Sequence, residues 1–202
     1  MPPQSYSPAN AIQAAEISQL IRHRRTIRNF TDSEVSQEQI TDLLKAATQA
    51  VFPNTDNPPC RFILVTTPAG KQRAGELIMG TYSEMKLYKW MPGKINQMMI
   101  DRIVKIPALL FVIAKQDADA QHNEWNFSQV CAMLHSFSLL AWDEALGLVW
   151  GTGDFMNNAS LVAGLGLQAD EKLHCLMYLG HFDKVPKTKS RTPAVKKWTI
   201  RT

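Results

Sequence analysis

WNFSQVCAMLHSFSLLAWDEALGLVWGTG, residues 125–153, is the stretch on which the fold turns. Residues 125–148 put apolar side chains on nearly every face of a helix, the pattern of a helix enclosed on all sides. LVWGTG (148–153) then reads as a short strand, so helix gives way to strand almost without a loop. His135, inside the helix, reads as a satisfied core histidine rather than a base. Upstream, IPALLFVIA (106–114) and RFILVTT (61–67) read as buried strands, rich in branched and aromatic residues. Downstream, MNNASLVAGLGL (156–167) reads as a helix with its C-cap at GLG 164–166, and LHCLMYLGH (173–181) as a strand. Strands alternating with helices imply an α/β or α+β sheet domain.

Two helices precede the first strand. One starts at Ala11 with Ile12, Ile17, Leu20 and Ile21 at helical spacing and ends in basic residues, which suits the helix macrodipole. The other is announced by Ser36 as N-cap with Glu38 and Gln39 in the first turn, carries Ile40, Leu43, Leu44 and Ala47 on one face, and ends before Pro53. VFPNTDNPPC (51–60) is a loop by composition. Residues 71–104 read as an irregular helical region with an excursion over the surface at MGTYSEMKLYKWMPG.

With 202 residues, 45% hydrophobic and 20% charged, one domain spanning 1–202 is expected. The net charge of +4, from 22 basic against 18 acidic residues, is too small an excess to point to nucleic acid as a partner. No apolar run has the length of a membrane span and the N-terminus has no signal-peptide pattern. Cys60, Cys131 and Cys175 are odd in number and show no metal spacing, so a reduced, cytoplasmic setting is expected. There is no GxGxxG, P-loop, GxSxG or HExxH, and the five histidines show no paired-ligand spacing.

What remains are two segments with binding chemistry. RHRRTIRNF (22–30) concentrates Arg22, Arg24, Arg25 and Arg28. Arginine meets phosphate or carboxylate oxygens two at a time, and Thr26 adds a neutral donor. The arginines follow a helix C-terminus, whose dipole repels anions, so side chains must do the binding. If the chain is extended there, Arg24, Thr26 and Arg28 point to one side. A solvated basic helix end has the same pattern, and KVPKTKSR (184–191) taken alone reads as a solvated tail, with the alternative that it joins the first basic group in space. In GLVWGTGDF, Gly151 and Gly153 leave room for a ligand to approach the backbone, although a bulge or tight packing also explains them.

In order, RRTIRNF after a leading helix, SQEQITDLLKAATQA, PPCRFILVTT, ALGLVWGTG, LGLQADEKLHCLMYLGH and a closing basic stretch resemble the FMN-dependent nitroreductase family, in its short single-domain NAD(P)H nitroreductase branch. Arg24, Arg25, Thr26 and Arg28 occupy that family's RRSxRxF motif, with Thr keeping the Ser hydroxyl. GLVWGTG matches its GLGxxWxxG-like strand, which brings Trp150, Gly151 and Thr152 to the flavin, and Arg191 stands where the family has a phosphate-binding Arg. DNPPCRF departs from the family's NxQPWxF: Pro58 replaces the Gln and Cys60 the Trp, leaving Asn54, Asp56 or Asn57 as substitutes for the lost flavin contact.

The resemblance implies an α+β, nitroreductase-like fold: a central, mostly antiparallel sheet flanked by helices, in an intertwined homodimer. It implies FMN as cofactor, NADH or NADPH as transient co-substrate, and a small-molecule electron acceptor such as a nitroaromatic or quinone, with neither nucleic acid nor membrane as partner. It assigns Arg24 and Arg191 to the FMN phosphate, Thr26 and Arg28 to the pyrimidine edge or ribityl chain, and backbone amides around Gly151 to flavin N5. No catalytic side chain or metal ligand is expected. Two other readings stay open: a basic module that binds nucleic acid or another polyanion, and a flavin-binding protein without turnover, the latter suggested by the altered DNPPCRF loop.

Overall fold

Four of the apolar runs become strands in the computed structural model, which describes residues 8–53, 57–84, 90, 92–187 and 198–199. They are β1 (Cys60–Val65), β2 (Ala108–Lys115), β3 (Leu146–Gly151) and β4 (Glu171–His181). Their order in the sheet is β1-β2-β4-β3, and every neighbouring pair is antiparallel. That resolves the class as α+β, because α/β units would pair their strands in parallel. The helices are α1 (Pro8–His23), α2 (Gln37–Val51), α3 (Pro68–Glu84), α4 (Gly93–Val104), α5 (Ala120–Asp143) and the short α6 (Ala159–Gly164), with a 3₁₀ turn at Asp154–Asn157.

The unbroken apolar run of β2 follows from its place inside the sheet, covered on both faces. Leu110 and Val112 belong to a core shared with Ile40, Leu44 and Ala47 of α2 and Val130, Met133 and Phe137 of α5. Leu109, Phe111 and Ile113 face the other way, toward Ile78 of α3, Ile100 of α4 and Leu161 of α6. Ser36 caps α2 as expected, its Oγ accepting from the Gln39 amide at 3.3 Å.

Several sequence expectations change. The helix expected over 125–148 begins instead at Ala120, capped by Asp119, whose carboxylate accepts from the Gln121 amide at 2.8 Å. It stops at Asp143, where the chain turns through Ala145 at φ 54°, and Leu146 is already in β3. Nor is it enclosed on all sides in the single chain: Val130, Leu134, Phe137 and Ala141 are buried, but Trp125 and Phe127 are 63% and 58% exposed. His135 lies off the buried stripe and is exposed, so it is not a core histidine. The region 71–104 resolves into α3 and α4, and residues 85–89 and 91 of the expected excursion lie outside the described residues. MNNASLVAGLGL is not one helix: Asn158 accepts from the Ser160 and Leu161 amides, so α6 starts after it. Gly166, at φ 65°, takes the left-handed conformation expected where the helix ends.

One ion pair stitches the sheet laterally. Arg61 on β1 reaches across β2 to Glu171 at the start of β4, with Nε and Nη2 each 2.7 Å from a carboxylate oxygen. The Gln168 amide donates to the same carboxylate at 2.9 Å. Hydrogen bonds from the Arg61 guanidinium lower the Glu171 pKa from 4.5 to about 2. A depressed carboxyl contributes stability above its unfolded pKa that is lost as pH falls through the folded one. The stability advantage of the wild type over Glu171→Gln is therefore expected to be constant above pH 4.5 and to shrink toward pH 2. Denaturation curves taken across that window check this; a difference that does not change with pH would contradict it.

Candidate functional site

The arginine segment is built by the end of α1. Arg25 folds back so that its Nη1 donates to the carbonyls of Arg22 at 2.6 Å and Arg24 at 2.8 Å, satisfying acceptors that the helix end leaves open. The chain then runs extended. The Ile27 amide donates to the Leu148 carbonyl of β3 at 3.1 Å, and the Thr31 amide to the His181 carbonyl of β4 at 2.8 Å. Ile27, at 1% exposure, is the inward side chain of this segment. Thr26 and Arg28 on either side of it are exposed and Arg24 is half-buried, in keeping with the alternation expected from the sequence.

Two glycines that sequence reasoning passed over form the seat. Gly147 and Gly180 face each other across the β3–β4 pair, so side chains there would project to the same face. A Cβ at Gly147 would come within 2.6 Å of Ile27 Cγ1, and one at Gly180 within 2.9 Å of Phe30 Cβ and 2.8 Å of Pro107 Cγ. The signal available was an isolated glycine inside each strand pattern, which marks close backbone approach.

Seated there, the segment forms one wall of a cleft of about 680 Å³, with Asp183, Lys184, Val185 and Pro186 after β4 as the other. Thr26, Arg28, Thr31 and Lys184 line it together with Asp32 and Asp183. The arginine motif and the beginning of the basic tail, some 155 positions apart in sequence, thus meet in space. Arg191 and Asn54 lie outside the described residues, as does Asp56; Asn57 is described and exposed.

β3 forms an edge of the sheet on the same side. Because the Leu148 carbonyl points off that edge to Ile27, Trp150, two residues on, directs its own N–H and C=O outward as well. The Trp150 side chain goes elsewhere: its Nε1 donates to Ser138 Oγ on α5 at 3.3 Å. Gly151 has a packing reason to be glycine, since a Cβ would stand 3.2 Å from the Leu176 carbonyl and 3.3 Å from Tyr178. Thr152 is exposed just beyond.

The lining offers guanidinium, ammonium and hydroxyl donors together with the carboxylates of Asp32 and Asp183, which fits a polar group that both accepts and donates hydrogen bonds; the Thr31 Oγ1 at its wall is buried without a hydrogen-bond partner among the described residues. Other chemistries are less well provided for. Burial pushes the Cys60 thiol up to about 11, far from a thiolate nucleophile at neutral pH. Among the described residues no group of three or more His, Cys, Asp or Glu could hold a metal ion, and no helix is long and apolar enough to cross a membrane.

A model of the nitroreductase family matches residues 21–181. The chain is 27% identical over 190 residues to the Bacillus subtilis (strain 168) protein named "Putative NAD(P)H nitroreductase YfhC", covering 93% of this chain and 95% of the relative. A nitroreductase-like family protein from Bacillus cereus superposes with a TM-score of 0.80 at 27% identity, over 98% of this chain and 97% of that one. The FMN and NADPH-dependent nitroreductase NfnB from Sphigopyxis sp. strain HMH, 19% identical, shares the fold with a TM-score of 0.69 over 92% of this chain and 98% of that one.

Proposed function

The chain belongs to the nitroreductase family, and from that premise we propose that it is an FMN-dependent oxidoreductase that takes electrons from NADH or NADPH and delivers them to a small-molecule acceptor such as a nitroaromatic or quinone, as a homodimer. The observation that carries this reading is the meeting of Thr26 and Arg28 with Lys184 in one cleft beside the open edge of β3. Bound FMN supplies the redox chemistry, a hydride taken from the nicotinamide and given to an acceptor that visits the same site afterwards, in ping-pong order.

The protein's part is to bind, orient and tune. Arg24 and Arg191 hold the phosphate, which carries about two negative charges near neutral pH. Thr26 and Arg28 meet the pyrimidine edge or ribityl chain, where a cation favours the extra electron density of the reduced ring. Trp150 contributes through its backbone at the strand edge rather than through the indole, which is turned toward Ser138, and Gly151 contributes by the close approach that its missing side chain allows. Arg25 supports the site indirectly, by closing the end of α1 from which the motif departs. The altered DNPPCRF loop leaves the flavin contact of the family's Gln to Asn54 or Asn57.

Titrating the purified protein with FMN tests the proposal. Saturable binding with a yellow absorption spectrum is expected, followed by oxidation of NADH or NADPH when a nitroaromatic or quinone is added. Absence of FMN binding overturns the whole reading. FMN binding without nicotinamide oxidation would leave a flavin-binding protein without turnover.

A further inference from the structure

α5 carries a buried hydroxyl that the helix itself does not require. Among the described residues Thr81 and Ser138 are the polar side chains that are buried, Ser138 at 2% exposure. Each donates to a carbonyl one turn back, Thr81 to Ile78 and Ser138 to Leu134, both at 2.7 Å. Back-bonding of this kind satisfies a hydroxyl but does not strengthen a helix, whose carbonyls are already bonded. Thr81 Oγ1 makes no other bond among the described residues. Ser138 goes further: its proton is committed to Leu134, its lone pairs can still accept, and the Trp150 indole N–H donates to its Oγ at 3.3 Å. An indole nitrogen only donates, so the chain runs one way, from Trp150 through Ser138 to Leu134.

This tether falls where β3 has least else to hold it. Leu146, Leu148 and Trp150 alternate onto the face that packs against α5. The outer edge of the strand is held at Leu148 by the Ile27 amide, and the inner ladder to β4 ends at Gly151, opposite Leu176. Beyond Trp150, Gly151 and Gly153 have no side chain to anchor and Thr152 is exposed, so the next buried side chain is Phe155. A strand end with so few buried contacts opens at little cost. The Trp150 N–H and C=O, which point off the edge, therefore owe their orientation in part to the bond its indole makes to α5.

We propose that Ser138 is a positioning residue for the flavin-facing edge of β3. By accepting the Trp150 indole N–H it holds the strand end in the conformation that presents the Trp150 backbone to the ligand. Ser138 touches no ligand itself, being enclosed in the core between α5 and the sheet. Its role toward the ligand rests on the flavin reading given above, whereas the tether belongs to the flavin-free protein.

Amide hydrogen exchange in the full-length, flavin-free protein tests the tether. Gly147, Val149 and Gly151 direct their amides inward to β4, because Leu148 directs its carbonyl outward. Ser138→Ala is expected to speed exchange at Gly151 by about two- to tenfold, the worth of one ordinary hydrogen bond. Gly147 should be unaffected, whereas a general weakening of the fold would move both. Trp150→Phe, which keeps an aromatic ring against the core and removes the donor, should act alike, and Ser138→Ala in that background should add nothing. Thr81→Val removes the other buried hydroxyl and should leave Gly151 unchanged. Flavin titration carries the test to the ligand: Ser138→Ala and Trp150→Phe should each raise the Kd for FMN by about the same two- to tenfold factor, again without adding. The proposal is overturned if Gly151 exchange in Ser138→Ala matches the wild type, if Gly147 accelerates equally, if the two substitutions add, or if both variants bind FMN as tightly as the wild type. A wild-type protein that binds no FMN removes the flavin reading instead, and exchange at Gly151 still decides the tether.

Discussion

Replacing Arg24 by alanine is expected to weaken FMN binding by about 1.5–3 kcal/mol, the range for a charge-assisted hydrogen bond to a phosphate. That is roughly a tenfold to hundredfold rise in Kd. Arg24 stands where α1 ends, its amide bonded to the Leu20 carbonyl at 3.0 Å, so the backbone that carries it is fixed before any ligand arrives. Pre-organisation of this kind makes the side chain's loss visible in affinity rather than hidden in loop ordering. Arg24→Lys should fall between wild type and alanine, because it keeps the charge but loses the planar fork. Arg25→Ala is the informative contrast. Its guanidinium caps the carbonyls of Arg22 and Arg24, so its removal should lower the melting temperature more than the flavin affinity. Fluorescence titration of the flavin-free protein, together with thermal melts, separates the two. Unchanged affinity in Arg24→Ala would remove Arg24 from the phosphate site.

The strands were legible because β-branched runs bounded by turn residues leave few alternatives, and Ser36 announced α2 through its own capping chemistry. Helix limits were less so. α5 leaves its helix through Ala145 in the left-handed region, where a glycine would normally give the signal, and the apolar pattern of ALGL runs on into β3 without a break. The exposure of Trp125 and Phe127 was also hidden, since periodicity reports which faces are apolar and not which are covered. At the site, the alternation of Arg24, Thr26 and Arg28 could be read from the chain. That Arg25 is engaged with helix carbonyls could not, because it depends on where α1 stops. The glycine seat was invisible for a different reason. Gly147 and Gly180 gain their meaning only from the register that sets them opposite each other, a property of the folded sheet rather than of either strand.

Gly147→Val is expected to be the most damaging single substitution in the molecule's binding apparatus. The new Cβ would lie 2.6 Å from Ile27 Cγ1 and 2.7 Å from Phe182 Cδ1, closer than non-bonded carbons in proteins approach, so the segment 26–31 must lift off the sheet. Withdrawing the buried Ile27 side chain costs about 1.5–3 kcal/mol in lost burial. Forced repacking adds roughly 1–3 kcal/mol. A total destabilisation of about 2.5–6 kcal/mol is therefore expected, at the severe end for a point mutation. The effect on flavin should exceed that on stability, because lifting the segment displaces Thr26 and Arg28 together while the two helix-covered cores stay intact. Gly180→Val should behave alike, through Phe30 and Pro107. Gly80→Ala in α3 supplies the control: no atom of the described residues lies within 4 Å of the added Cβ, and helix propensity favours alanine by about 1 kcal/mol. Chemical denaturation and flavin titration of the three variants decide the matter. If Gly147→Val binds FMN as tightly as the wild type, the segment is not held by the glycine pair, and the cleft must owe its shape to something else.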